Sequence, residues 1–206
     1  MNNQRQEKAA KYLSKIAGRF LGDKRGVAAL EFALIAPVLI LLYLGTVEMT
    51  DGVDVNKNLG RATSMVADLV TQQTTVTVSD LSNIMKIGQA TLLPYRRDTP
   101  QITIVSINIS AAGNPTVIWS RRLVNGSETR PYNAGSAITL DANLRIPSTT
   151  VVQVEMKLAY APRVPWTITG KTNTAAGASI IGIPMSKTSY GRIRQGSNAV
   201  ICTNCP

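Results

Sequence analysis

Histidine is absent from the 206 residues, which removes the commonest general base and the commonest metal ligand. Acidic side chains number twelve, and none falls in a paired-carboxylate or calcium-loop spacing. Neither a P-loop nor a G-x-S-x-G elbow occurs. Cysteine is confined to Cys202 and Cys205, and two thiols alone do not complete a zinc site. These absences argue against an enzyme, and they predict no metal, no cofactor and no small-molecule substrate. No internal repeat is visible.

What the chain does contain is a long apolar run broken by a single carboxylate. From Val27 to Val47 it reads VAALEFALIAPVLILLYLGTV, and Glu31 is its only ionisable group apart from Tyr43. A helix of that length rises roughly 31 Å, enough to cross the hydrocarbon core of a bilayer. A charge inside such a span costs ~2.5–3.5 kcal/mol at mid-helix and less near an end, so Glu31 calls for a reason. Compared with a secretory signal, the run is long for an h-region and lacks a following A-x-A site, so it reads as a retained anchor.

Charge sets the orientation. Arg5, Lys8, Lys11, Lys15, Arg19, Lys24 and Arg25 precede the run, opposed only by Glu7 and Asp23, whereas Glu48, Asp51 and Asp54 follow it. The asymmetry places the N-terminus in the cytoplasm and the bulk of the chain across the membrane. With seven basic and two acidic groups, the leader holds about half of the formal charge of +10. The other basic residues are scattered apart from the pairs Arg96-Arg97 and Arg121-Arg122, which argues against nucleic-acid binding. In the leader, Lys8, Lys11, Lys15 and Arg19 share one helical face and Ala9, Leu13, Ile16 and Phe20 another. That pattern suits either a helix lying on an anionic membrane or a solvated helix that enforces topology.

Beyond the run, Val55, Leu59, Ala62, Val66 and Leu69 recur at steps of four and three. With no proline between Val38 and Leu93, one long helix from about Val27 to Val70 is expected, with Gly45, Gly52 and Gly60 as points of bending. Its apolar seam can pack on partner helices or on the chain's own sheet. A polar break at Thr71–Val78 precedes a second helix near Asp80–Leu92, capped by Ser79 or Asp80 and ended before Pro94. From residue 100 the period changes to two. Strands are predicted at Gln101–Ser110, with a phase slip that marks a bulge, and at Thr116–Arg121, Ala137–Leu140 and Thr150–Tyr160. A last hairpin is predicted around Ile180–Ile193, and Asn125-Gly126, Gly113-Asn114-Pro115 and Pro131 punctuate the strands. The fold class is α+β: a long N-terminal helix, a short second helix and a mainly antiparallel β-rich half.

Cys202-Thr203-Asn204-Cys205 ends the chain after the strand-like Ala199-Val200-Ile201 rather than opening a helix, so a local disulfide is favoured over a redox site. Its loop is very short and adds little stability. Trp119 and Trp166 read as packing residues, and Glu48 as a solvated acid at the outer membrane boundary.

The segment Gly26-Val-Ala-Ala-Leu-Glu31-Phe32-Ala33-Leu34-Ile-Ala-Pro37, with Gly45-Thr-Val-Glu48 after it, resembles the TadE/TadG-like minor pseudopilins of bacterial Tight adherence (Tad, Flp-type) pili. The shared pattern is a basic leader, a glycine, four mostly small residues, Glu, an aromatic, an apolar run with proline and a G-x-x-E exit. It covers about 45 residues of this chain and says little about the β-rich remainder.

The resemblance implies processing by a prepilin peptidase between Gly26 and Val27, with Glu31 and Phe32 as assembly residues. Glu31 would then meet the new α-amino group of a neighbouring subunit, a pairing that favours docking in one register. Pro37 would kink the helix, with or without a role in assembly. The implied partners are the inner membrane, other pilins and pseudopilins, the peptidase and the Tad assembly platform. The domains expected are a cytoplasmic leader at 1–26, a transmembrane segment at 27–47, a periplasmic helical region at 48–98 and a β-rich periplasmic domain at 99–206. The size of the chain favours a low-copy accessory role over the main fibre subunit. A fixed, uncleaved assembly factor is the other reading within the pilus. The alternative from another class is an uncleaved membrane-anchored binding or adhesin module, with Arg96, Arg97, Arg121 and Arg122 as an anion-binding patch.

Overall fold

A helix-forming sequence with one interior proline runs unbroken from Val27 to Thr71 in the computed structural model, which describes residues 26–95, 98–163, 171–173, 179–194 and 199–205. We call this helix α1. The chain divides into two compact units, Met1–Val47 and Glu48–Pro206. In the first, the described residues form the apolar part of α1. Leu30, Phe32, Leu34, Ile35 and Val38 through Tyr43 are all exposed, and this stretch is long and apolar enough to cross a membrane. The leader face formed by Lys8 to Arg19 lies outside the described residues.

In the second unit the exposure of α1 becomes periodic. Val55, Leu59, Ala62, Val66, Ala67 and Val70 are buried on one stripe, whereas Leu69 is only partly covered. Their partners are Ile102, Ile104, Val152, Val154, Met156 and Leu158 of the sheet, so the chain's own sheet takes the seam predicted for packing. Hydroxyls near the end of α1 bond back along the helix, Thr63 to the Leu59 carbonyl and Thr71 to that of Ala67.

After α1 comes β1 (Thr75–Val76), in the segment read as an irregular break. It pairs in parallel with the distant β9 (Ile201–Cys202), a partner no local pattern announces. The second helix, α2 (Val78–Ala90), begins and ends two residues before the predicted span. Its N-cap is Thr77 rather than Ser79 or Asp80. The Thr77 hydroxyl accepts from the Asp80 N–H, and the Asp80 carboxylate accepts from the Thr77 N–H, a reciprocal capping box. Gly88 lets α2 press close. A Cβ there would stand 2.6 Å from Val66 Cγ2 and 2.8 Å from Met156 Cε.

The sheet holds β2 (Gln101–Ile109), β3 (Pro115–Val124), β4 (Ser127–Thr129), β5 (Thr149–Tyr160) and β8 (Ile183–Arg192). They lie in the order β4-β3-β2-β5-β8, every neighbour antiparallel. Asn125 and Gly126 both have positive φ, as a two-residue turn between β3 and β4 demands. The bulge expected in β2 falls on its partner strand β3 instead. It leaves Ile118 of β3 without a partner between the pairs Ser106–Trp119 and Ile107–Val117, while β2 itself pairs with β5 without interruption. The slip in β2 records a change of buried face: Ile102 and Ile104 lie in the core under α1, whereas Ile107 and Ile109 lie in a second core on the opposite face.

That second core corrects the strand predicted at Ala137–Leu140. Only an isolated bridge joins Ala137 to Thr116, because the segment crosses the sheet to bury Leu140 with Val105, Val117 and Val151. Arg145 holds the crossing by donating from Nε and Nη2 to the Leu140 carbonyl. The predicted hairpin at Ile180–Ile193 is also absent. β8 pairs along its length with β5, from Tyr160–Ile183 to Val151–Arg192, and β7 (Ser179–Ile181) pairs with β6 (Lys171–Asn173) instead. A long β5 with one free edge offers more ladder hydrogen bonds than a local turn.

Two outcomes follow from α2. In denaturant unfolding of the purified chain, Gly88→Ala should lower stability by ~1 kcal/mol or more, since overpacking at ~1–3 kcal/mol outweighs the helix preference of alanine. The Thr77 hydrogen bonds hold the Asp80 carboxyl below its ordinary value. The cap is therefore at full strength above the ordinary carboxylate range and fades as pH falls through the lowered value. Thr77→Ala should cost ~1 kcal/mol at neutral pH, and the difference from the parent should shrink in acid.

Candidate functional site

Of the residues singled out from sequence, Gly26, Val27, Glu31, Phe32 and Pro37 fall on the first three turns of α1 and just before it. Gly26 stands immediately ahead of α1, and Val27 opens it. Glu31 and Phe32 are exposed on adjacent helical positions, and Pro37 sits inside the helix without ending it. The Glu31 carboxylate has no ion pair among the described residues. This start of α1 thus presents a charge and an aromatic on a bare apolar cylinder.

The first residue of the second unit is Glu48, and here the structure departs from the solvated acid expected. Glu48 is 9 % exposed, and among the described residues its carboxylate accepts from Tyr160 and Arg163. The Tyr160 hydroxyl donates to Oε1 at 2.5 Å, and the Arg163 N–H donates to both carboxylate oxygens at 3.0 Å. The Arg163 guanidinium then reaches back one turn along α1 to Asp51, at 3.1 Å. Glu48 and Asp51 thereby fasten α1 to the end of β5.

The end of β5 is held from its other side as well. Tyr160 stacks on Tyr95 with ring centroids 5.6 Å apart. The Tyr95 hydroxyl donates to the Ala159 carbonyl and accepts from the Ala161 N–H, while Asp98 accepts from the Ala159 N–H. Beside this cluster lies a cavity of about 480 Å³, walled by Asp51, Asp54, Asn58, Leu92, Tyr95 and Arg163. Charge-assisted hydrogen bonds in a nearly dry setting are the strong ones, whereas the half-exposed Asp51–Arg163 pair contributes ~0–1 kcal/mol. Glu48 is the centre of the cluster, and Asp51 its rim.

Glu48 was visible in the sequence as the acid of a G-x-x-E exit, but its partner was not. A tyrosine ending an apolar strand needs somewhere to place its hydroxyl, which was the one available signal.

Cys202 and Cys205 are joined by a disulfide, with Cα atoms 5.5 Å apart. Cys205 is buried, and β9 is held by bonds to the Thr74 and Val76 carbonyls. Trp119 donates its indole N–H to the Val200 carbonyl, a packing role. Trp166, Arg96 and Arg97 lie outside the described residues. Arg121 and Arg122 do not form the patch considered for an anion. They are consecutive on β3, so their side chains take opposite faces, Arg121 toward the Asn204 carbonyl and Arg122 toward the Thr103 hydroxyl.

Residues 26–68 match the family model described as TadE-like protein. The match begins at Gly26, covers Glu31, Phe32, Pro37 and Glu48, and leaves the sheet outside. No curated protein and no solved structure matches the chain.

A graded series tests the cluster by equilibrium unfolding. Glu48→Ala should cost ~1.5–3 kcal/mol by stranding the Tyr160 hydroxyl and the Arg163 N–H, and Tyr160→Phe about 1 kcal/mol. Asp51→Ala should change stability by less than ~1 kcal/mol.

Proposed function

We propose that this protein is a minor pseudopilin that serves assembly of a Tad (type IV-like) pilus used in surface adherence. The observation that carries the reading is the match of residues 26–68 to the TadE-like family, which begins at the glycine ahead of a bare apolar helix. A TadE-like segment supports a Tad pilus-associated protein with a structural rather than an enzymatic role. The candidate membrane helix near the N-terminus fits a single-pass membrane protein.

In this reading the leader stays in the cytoplasm, α1 crosses the inner membrane from Val27, and a prepilin peptidase cuts between Gly26 and Val27. The cut removes Lys24 and Arg25 and creates an α-amino group that is mostly protonated at neutral pH. Glu31 is one turn above that amine, about 6 Å of rise, so the two meet across subunits displaced along the helix axis. A carboxylate that is unfavourable in lipid alone then becomes favourable on docking. Phe32 packs beside it, and Pro37 gives the helix a place to bend among its neighbours. The second unit lies across the membrane and makes contacts with other pilins and pseudopilins. The binding-module alternative has lost the Arg121–Arg122 half of its patch, and its Arg96–Arg97 half lies outside the described residues.

N-terminal sequencing of the protein from envelope and sheared-pilus fractions tests this. A chain beginning at Val27 only in cells that carry the prepilin peptidase is the expected result. Replacing Gly26 with a bulky residue should block the cut, and Glu31→Ala should leave the cut intact while the protein fails to enter the pilus. An intact N-terminus in both strains would reject processing.

A further inference from the structure

The cavity of about 480 Å³ beside Tyr160 lies within the second unit, and the hydrogen bonds to Glu48 leave it open. Buried Val55, Leu92 and Tyr160 give it an apolar floor, which Pro94 and Tyr95 extend. Its charged lining is Asp51 and Asp54 from α1 and the Arg163 guanidinium from beyond β5. Asp51 pairs with Arg163 at 3.1 Å, whereas Asp54 is exposed and has no ion pair among the described residues. Asn58, one turn above Asp54, adds an amide. The lining therefore sets two carboxylates against one guanidinium over an aromatic and apolar floor. Cavities of this size and make-up are the usual seats of small polar ligands.

Position along α1 points to the source of the ligand. Asp51 follows Val47, the end of the apolar run, by four helical positions and Asp54 follows it by seven, rises of about 6 and 10.5 Å. The headgroup layer adds ~5–7 Å to each side of a bilayer's hydrocarbon. Cα–Cβ bonds lean toward a helix N-terminus, so both carboxylates reach back toward that layer. Tyrosine is favoured at the same depth. Met49 and Val53, which flank Asp51 in the chain, are exposed, and so is Leu93 between the cavity residues Leu92 and Pro94. Exposed apolar side chains beside a polar cavity suit contact with lipid.

We infer that the cavity binds a phospholipid headgroup that carries a primary ammonium beside its phosphate, as phosphoethanolamine does. The ammonium donates to the Asp54 carboxylate and the Asn58 side-chain carbonyl. The phosphate is met by the Arg163 guanidinium, whose one ion partner among the described residues is Asp51. A phosphocholine group has no N–H to donate. A phosphoglycerol group brings only negative charge to a lining that already has an excess of it. The inference rests on the membrane anchor of the proposed function and gives the second unit a lipid ligand of its own.

The test uses full-length protein in detergent, supplied with an equimolar mixture of phosphoethanolamine, phosphocholine and phosphoglycerol lipids of the same acyl chains. Lipid retention is read by native mass spectrometry. Retention of the phosphoethanolamine lipid should exceed that of either other by roughly fivefold or more. Asp54→Asn should reduce it to the phosphocholine level, and Asp54→Lys should move the preference to phosphoglycerol. Arg163→Gln keeps the backbone N–H that Glu48 accepts and should lower retention of all three. Lys57→Gln, on α1 but outside the lining, should change nothing. Thermal melts of each variant confirm that the fold is kept. Equal retention of the three lipids, or a preference that survives Asp54→Asn, would overturn the inference. Displacement of the lipid by an equal concentration of free phosphoethanolamine would also overturn it, by making the ligand a soluble one. So would a carbodiimide crosslink in intact membranes from Asp54 to a lysine of another protein, which would make the cavity a protein contact. Alkaline carbonate extraction of those membranes is scored alongside. Protein that stays in the membrane but shows no lipid preference rejects this site alone, whereas release by carbonate rejects the anchor itself.

Discussion

Burial of one stripe of α1 against the sheet is the interaction on which the second unit depends. Leu59, Ala62, Val66 and Val70 have no exposed surface, and the residues they meet come from α2 and from strands far apart in sequence. Each large apolar side chain so buried is worth ~1.5–3 kcal/mol, several times the exposed Asp51–Arg163 or Asp68–Arg194 pairs. The helix is therefore also a structural member of the domain. The sheet forms on it, with α2 wedged in at Gly88 and β8 crossing at Gly191, where a Cβ would stand 2.7 Å from Thr71 Cγ2.

Along a single element, the side-chain pattern changes its purpose at Glu48. Below it α1 is apolar all round, a surface suited to lipid or to other helices; above it α1 is amphipathic, with one face spent on the sheet and one left charged. Glu48 is the place where the two patterns meet, and its carboxylate is consumed by Tyr160 and Arg163 rather than by water. Glu31, by contrast, is exposed within the apolar half. Two acids seventeen positions apart on one helix thus serve different ends, one to hold the domain together and the other available to a neighbour.

Much of this was legible in the chain before any coordinates. The apolar run, the four-three seam and the absence of proline after Val38 defined α1 to within a residue, and the Asn-Gly pair marked the β3–β4 turn. What stayed hidden depended on partners distant in sequence. The seam could face a neighbour or the chain's own sheet, because periodicity reports that a face is buried but not against what. β8 paired with β5 instead of folding back locally, and residues 137–140 left the strand register to cover a second core. Thr77 fell inside the segment that reads as a polar break, although Thr77-x-x-Asp80 is a capping-box spacing. Glu48 looked solvated because its exposure depends on Tyr160, more than a hundred residues away.

The division of α1 at Glu48 is best tested by spin labels placed singly at successive positions from 28 to 70 of the full-length protein in lipid nanodiscs. Accessibility to oxygen, which concentrates in lipid, and to a water-soluble nickel chelate would be read at each position. The expected profile is high oxygen accessibility on all sides of the helix through residue 44, then a helical period above 48, with minima at 55, 59, 62 and 66 and high chelate accessibility at 54, 57 and 61. A profile in which the period extends unchanged down to Val27, or in which the chelate reaches 34–41, would contradict a bare apolar span joined to a sheet-bound helix.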